Sequence, residues 1–143
     1  MQRSLWLQKF IDVYRELGTD NLSTLESIYH PNVVFIDPLH KVEGVQDLIA
    51  SFDRSYTNII SCEFHIKHAF ESESEAAVYW TMTFRHKSLN KQEPISVQGH
   101  SHLKSDNDVV TFHRDYLDVG AMIYEHVPLL GPVVKKLKHR AGK

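Results

Sequence analysis

Val78-Tyr79-Trp80-Thr81-Met82-Thr83-Phe84-Arg85-His86 alternates apolar with more polar side chains along its whole length. A β-strand turns successive side chains to opposite faces, so Val78, Trp80, Met82 and Phe84 share one face and His86 continues it toward the strand end. Tyr79, Thr81, Thr83 and Arg85 take the other. The pattern predicts a long, half-buried strand over 75–87. The stretches 59–70, 94–104 and 109–118 read the same way, parted by polar clusters such as Glu71-Ser72-Glu73-Ser74 and Ser105-Asp106-Asn107-Asp108. Connections this short make the four strands antiparallel neighbours. In the third, Ile95, Val97, Gly99, Ser101 and Leu103 face one way, against Ser96, Gln98, His100 and His102. In the last, strict alternation groups Val110, Phe112, Arg114, Tyr116 and Asp118 against Val109, Thr111, His113, Asp115 and Leu117. A β-bulge would exchange those last two faces.

Upstream of the strands the period changes. Trp6, Phe10, Val13, Tyr14 and Leu17 recur at helical spacing, and Gly18 stands where a C-terminal cap belongs. Asn21 or Ser23 can cap a short second helix through Leu25 and Ile28, which ends before His30-Pro31. Val33-Val34-Phe35-Ile36-Asp37 reads as a short strand closed by Pro38. Gly44 then precedes a third helix that sets Val45, Leu48, Ile49 and Phe52 on one face. Helices first and strands after them indicate an α+β domain, with the helices covering one face of a curved sheet.

The bulk numbers fit one soluble domain. The 143 residues suffice for a core without metals or disulfides. Sixteen basic against eighteen acidic side chains leave no field that would gather nucleic acid. One cysteine, Cys62, allows neither an intramolecular disulfide nor a Cys-based zinc cage, and its apolar setting suits a buried structural thiol. Met1-Gln2-Arg3-Ser4 leads into an amphipathic pattern rather than a signal peptide, and no run is long enough to span a bilayer. A cytoplasmic location is the expectation.

Asp37 is the first residue to suggest chemistry. A carboxylate at the end of an apolar strand is poorly solvated and suited to accept a proton near neutral pH. The plainer alternative is that Asp37 only begins an Asp-Pro turn. Ten histidines raise the question of a metal. His100 and His102 share a strand face, and His113 can join them from the next strand; three such ligands suit zinc or copper. Alternation puts them on the outer face, so interface or solvent roles are favoured and no metal is expected. His86, near the pocket end of its strand, is the better candidate for a donor or base.

The order of elements resembles the nuclear transport factor 2-like cone fold, also described as cystatin-like. Within it the chain is similar to the ketosteroid isomerase-like and SnoaL-like branch, over roughly residues 5–118. Tyr14 followed by Val34-Phe35-Ile36-Asp37-Pro38 matches the isomerase pattern with about one residue of slack. The resemblance implies that Tyr14 donates to a developing oxyanion while Asp37 shuttles a proton. Ser74-Glu75-Ala76-Ala77-Val78-Tyr79-Trp80-Thr81-Met82-Thr83-Phe84 resembles the strand whose alternate residues line the steroid pocket, which implies Trp80, Met82 and Phe84 as substrate contacts, with Phe112 and Tyr116 beside them. Gly99 falls where the isomerases carry a second, protonated aspartic acid. Losing one such donor costs a factor of about 10² to 10³ in rate, which weighs against steroid isomerisation itself. Asp118 instead resembles the terminal-strand acid/base of SnoaL-like cyclases, and Arg114 beside acidic groups is similar in composition to the epoxide hydrolases of this fold.

The expected activity is proton transfer on a small hydrophobic carbonyl compound, by an isomerase, cyclase or hydrolase without a cofactor. Asp37 and Tyr14 are its leading residues, with Asp118, Arg114 and His86 as secondary polar groups. The alternative is a non-catalytic ligand-binding or dimerisation module. The resemblance also implies a homodimer through the convex sheet face. Residues 119–143 form a helical extension of the 1–118 domain, split into two short helices by Pro128 and Gly131-Pro132. The first helix closes the open end of the cone. The second ends in Lys135-Lys136-Leu137-Lys138-His139-Arg140, for which docking with a solvated basic end is favoured over a membrane surface.

Overall fold

The computed structural model describes residues 3–126 and 130–142. Helix α1 (Leu5–Glu16) buries Trp6, Leu7, Phe10, Ile11 and Tyr14, the stripe its spacing dictates. The second helical segment is a single 3₁₀ stretch, Leu22–Ser27, which drives Leu22 and Leu25 into the core. The chain then enters strand β1 (Tyr29–Ile36), four residues before the apolar run begins. Pro31 is tolerated because the β1 pairing is irregular between Tyr29 and Val34. After the Asp37-Pro38 turn comes a strand the periodicity does not announce, β2 (Lys41–Glu43), and then helix α2 (Val45–Tyr56). Three residues are too few to show alternation.

Four long strands follow: β3 (Ile59–Ser72), β4 (Glu75–His86), β5 (Ile95–Asp106) and β6 (Val109–Leu117). The sheet order is β2-β1-β6-β5-β4-β3. All neighbours are antiparallel except β1 and β6, which run parallel. Irregular pairings at Ile59/Ser61 and Ile66/His68 in β3 give the sheet its curvature. The concave face receives α1 and α2. Val78, Trp80 and Phe84 of β4 and Ile95, Val97, Ser101 and Leu103 of β5 are buried, on the faces that alternation selects.

Strand β6 departs from that rule. Lys104 pairs with Phe112 while Ser105 pairs with Val110, so Thr111 is an extra residue. Beyond it the faces exchange: His113 is buried and Arg114 and Tyr116 are exposed. The strict alternation that turned Phe112, Arg114 and Tyr116 inward is corrected by this bulge. Helix α3 (Val119–Met122), a 3₁₀ turn (Tyr124–His126) and helix α4 (Leu130–Ala141) complete the chain. Gly131-Pro132 does not interrupt α4 but lies in its first turn, where a missing N–H costs no helical hydrogen bond. Pro128 lies outside the described residues. No helix among the described residues is long and apolar enough to cross a membrane.

Leu48 of α2 is fully buried, and Leu137 of α4 is 59% exposed. Leu48→Ala is expected to lower stability in urea denaturation by about 2–5 kcal/mol, and Leu137→Ala by no more than about 0.5 kcal/mol. Equal effects would contradict this placement of the core.

Candidate functional site

Between α2, the concave sheet and α3 lies a cavity of about 470 Å³. Phe35, Phe52, Phe64, Trp80, Met82 and Phe84 make most of its wall. Its polar side chains are fewer: Tyr14, Ser51, Ser55, Tyr56 and Asp115, the Cys62 thiol, and at the rim Asp37, His40 and His86. Apolar walls with a few convergent polar groups are the form small-molecule sites take.

Asp115 is the innermost carboxylate. Trp80 Nε1, which can only donate, gives a hydrogen bond to Ser101 Oγ at 2.9 Å. Ser101 Oγ therefore turns its own proton to Asp115 Oδ1, at 2.5 Å. The same oxygen meets His113 Nε2 at 2.6 Å. Oδ2 has no hydrogen-bond partner among the described residues, and the Asp115 side chain is 18% exposed against 1% for His113. One oxygen is thus clamped from two sides while the carboxylate borders the cavity.

The contacts continue inward. His113 Nδ1 lies 2.7 Å from Tyr29 Oη, which lies 2.6 Å from Tyr14 Oη. Burial, reinforced by the charge of Asp115, pushes Tyr14 far above the ordinary phenol range. Burial likewise raises Tyr29, reinforced by Tyr14. Both stay protonated at any physiological pH. Phe10 and Phe35 pack on the His113 ring, with centroids at 5.6 and 4.6 Å. Cys62, also in the wall, is raised by burial to about 11 and remains a thiol.

The residues singled out from the sequence separate into three groups. Tyr14, Trp80, Met82, Phe84 and His86 line the cavity, and His86 Nδ1 accepts from Ser88 N at 3.0 Å. Asp37 lines it too, but Oδ1 is taken up by the turn: it accepts from Leu39 N at 2.8 Å and His40 N at 2.7 Å, with His40 Nδ1 at 3.1 Å. Gly99 faces inward beneath Trp80, where a Cβ would stand 2.5 Å from Cη2, so its role is to let the indole lie close on the sheet.

The third group lies elsewhere. Arg114 stacks on Tyr116 outside the sheet, 5.0 Å from the ring centroid, and neither lines the cavity; nor does Phe112, which packs against His102. Asp118 caps α3 by accepting from Ala121 N at 3.1 Å and pairs with Lys138 Nζ at 2.6 Å, not with Arg114. His100 and His102 are on the outer face and His113 on the inner, so the bulge parts the three imidazoles. No cluster of metal-ligating side chains occurs among the described residues. The site residues missed from the sequence are Tyr29, Ser101, His113 and Asp115. The signal for His113 and Asp115 was the alternation His113, Asp115, Leu117, open to reading only with the bulge in place; Ser101 was signalled by its face of β5.

A model of the SnoaL-like domain matches residues 8–113. The chain belongs to the SnoaL-like family. A search of curated proteins finds no match. Among solved structures, the fold is similar to a protein provisionally named a SnoaL-like polyketide cyclase from Jannaschia sp. CCS1, with 14% identity over 86% of this chain and 94% of that one, at a TM-score of 0.74. It is also similar to an NTF2-like protein of unknown function from Burkholderia pseudomallei, with 16% identity over 85% and 96% and a TM-score of 0.75. A third is an LEH-like epoxide hydrolase of M. tuberculosis, with 14% identity over 82% and 83% and a TM-score of 0.65. These likenesses establish the fold of this SnoaL-like protein and not its chemistry.

The C-terminal segment bounds the cavity through Met122 and Ile123. Lys138 of α4 holds this segment by pairing with Asp118 and, at 2.7 Å, with Glu125. The Lys138 hydrogen bond keeps Asp118 below the usual carboxylate range. A lowered folded value means that the contact is fully present above the unfolded carboxylate range, near pH 4, and is lost as pH falls through the lower folded value. Amide protection of residues 130–142, corrected for intrinsic exchange, is therefore expected to hold down to about pH 4 and drop below it. Lys138→Met should show the reduced protection at every pH. Unchanged protection in that variant would exclude the clamp.

Proposed function

We propose that this SnoaL-like protein binds a small apolar carbonyl compound in the cavity and moves a proton on it, with Asp115 as the acid/base. The supporting observation is the Asp115 carboxylate, clamped at Oδ1 by His113 and Ser101 and bordering a mostly apolar hollow. A base held in one rotamer with a free oxygen is positioned for proton abstraction next to a carbonyl. Oδ2 takes a proton from the carbon beside the carbonyl and the electron pair passes to the carbonyl oxygen. Return of that proton to another carbon of the conjugated enolate completes an isomerisation; attack of the enolate on a second carbonyl, whose oxygen then takes the proton back from Oδ2, completes a ring closure. Asp37, His40 and His86 orient the polar end of the ligand at the rim. Asp115 takes the role that the resemblance assigned to Asp37, whose Oδ1 is held by its turn and whose Oδ2 lies 3.3 Å from His40 Nδ1.

The test is exchange of the α-hydrogens of 2-tetralone for deuterium in D₂O. Asp115→Asn is expected to slow exchange by about 10² to 10⁴, and Asp37→Asn, which can keep the turn, by no more than a few-fold. The reverse order would return the base to Asp37.

A second reading, a module that dimerises through the convex face, draws on the row of rings exposed there. His100 stacks between Tyr79 and Tyr116 at 4.9 Å from each, and Phe70 beside Tyr79 is 63% exposed. Exposed aromatic surface of this kind favours association. Sedimentation of the full chain is expected to give a dimer, and Tyr79→Asp with Tyr116→Asp a monomer. A wild-type monomer would refute it.

A further inference from the structure

The chain Tyr14–Tyr29–His113–Asp115 has a direction, set by counting protons. Asp115, ionised, can only accept, so His113 Nε2 must carry a proton to meet Oδ1 at 2.6 Å. In a neutral ring Nδ1 is then bare. Tyr29 must donate to it across 2.7 Å, and having one proton, Tyr29 can only accept from Tyr14 across 2.6 Å. The single proton of Tyr14 is spent inward. Toward the cavity that phenol offers only lone pairs, which repel a carbonyl or enolate oxygen.

A second proton on His113 reverses the two phenol links and leaves Nε2 donating to Asp115. Nδ1 then donates to Tyr29, Tyr29 donates to Tyr14, and the Tyr14 proton is released toward the cavity that its ring lines. No heavy atom need move, because distances of 2.6 and 2.7 Å serve either direction. The titratable groups facing His113 are Asp115 of β6, Tyr29 of β1 and Tyr14 of α1; the Phe10 and Phe35 rings packed on it and its cross-strand partner Leu103 are apolar. Burial keeps both phenols protonated, so within the chain it is a second proton on the imidazole, between Asp115 Oδ1 and Tyr29 Oη, that turns the two phenol links.

We infer that His113 is the positioning residue that decides whether Tyr14 donates or accepts, so that an oxyanionic ligand at Tyr14 binds together with one proton taken up by His113. The ligand class is the enolate or phenolate, an anion on a flat apolar skeleton. The balance is one anion and one proton from solvent, giving an anion hydrogen-bonded to Tyr14 and an imidazolium ion-paired with Asp115. The inference rests on the cavity being the ligand site, but it requires no turnover.

The test uses the full-length protein and 3,4-dinitrophenolate, an anion at neutral pH. Calorimetry in buffers of different ionisation enthalpy should show close to one proton taken up per anion bound. Where His113 is neutral in the free protein, the apparent Kd should rise about tenfold per pH unit. His113→Gln keeps hydrogen-bonding groups but cannot gain charge, and should bind with no proton uptake and a flat pH profile. Tyr14→Phe should bind at least about tenfold more weakly, as loss of a charge-assisted hydrogen bond predicts. In the free wild-type protein, ¹⁵N shifts of His113 should show a protonated Nε2 and a bare Nδ1, both becoming protonated when the anion binds.

A protonated Nδ1 in the free protein, binding without proton uptake, uptake that persists in His113→Gln, or no binding of the anion would each overturn the inference. Loss of the proposed proton transfer is read separately, from exchange in Asp115→Asn. A protein that takes up the proton but exchanges no α-hydrogen would keep this inference and lose the catalytic reading.

Discussion

The bulge at Thr111 is the constraint on which the site depends. One unpaired residue in β6 turns the remainder of the strand over, bringing His113, Asp115 and Leu117 to the concave face and sending Arg114 and Tyr116 to the convex one. A shift of one residue in a strand with period two has no intermediate outcome. Without it the hollow would receive an arginine and a tyrosine, and the buried imidazole would lie outside the sheet. The same residue adds local twist where β6 must also pair in parallel with β1.

Once inside, His113 and Asp115 must be satisfied, because a buried polar group without a partner costs about 1–3 kcal/mol. The surrounding sequence meets that demand from four elements. Tyr14 comes from α1, Tyr29 from the irregular start of β1, Trp80 from β4 and Ser101 from β5. Each of these side chains has an apolar or compact body that packs in the core and a polar tip that joins the chain of contacts. The core of the domain and the floor of the cavity are therefore built from the same residues, and a change in one is felt in the other.

Most of the fold was legible because it depends on periodicity. The stripe of α1 and the alternation of β4 and β5 place Trp6, Phe10, Val78, Trp80, Val97 and Leu103 where the structure buries them. What was not legible depends on single-residue events that period and propensity do not encode. β2 is too short to alternate, Tyr29 enters β1 ahead of a proline, and the bulge in β6 follows from pairing with two neighbours rather than from its own sequence. The Asp-Pro dipeptide was open to two readings, turn and base. The contacts of Asp37 Oδ1 with Leu39 N and His40 N account for one oxygen by the turn.

The comparison with relatives follows from the same division. Structures that share only 14–16% of their residues with this chain superpose on it with TM-scores from 0.65 to 0.75. Preserving a curved sheet under helices requires only that apolar side chains keep their period, which many sequences satisfy. Preserving a reaction requires that particular side chains face inward, and in this fold the inward set of β6 changes with the position of one extra residue. A shared fold therefore fixes the presence of a cone while leaving its chemistry to be read from β6 outward. In this chain that strand supplies an imidazole and a carboxylate in contact, at the inner end of an apolar cavity.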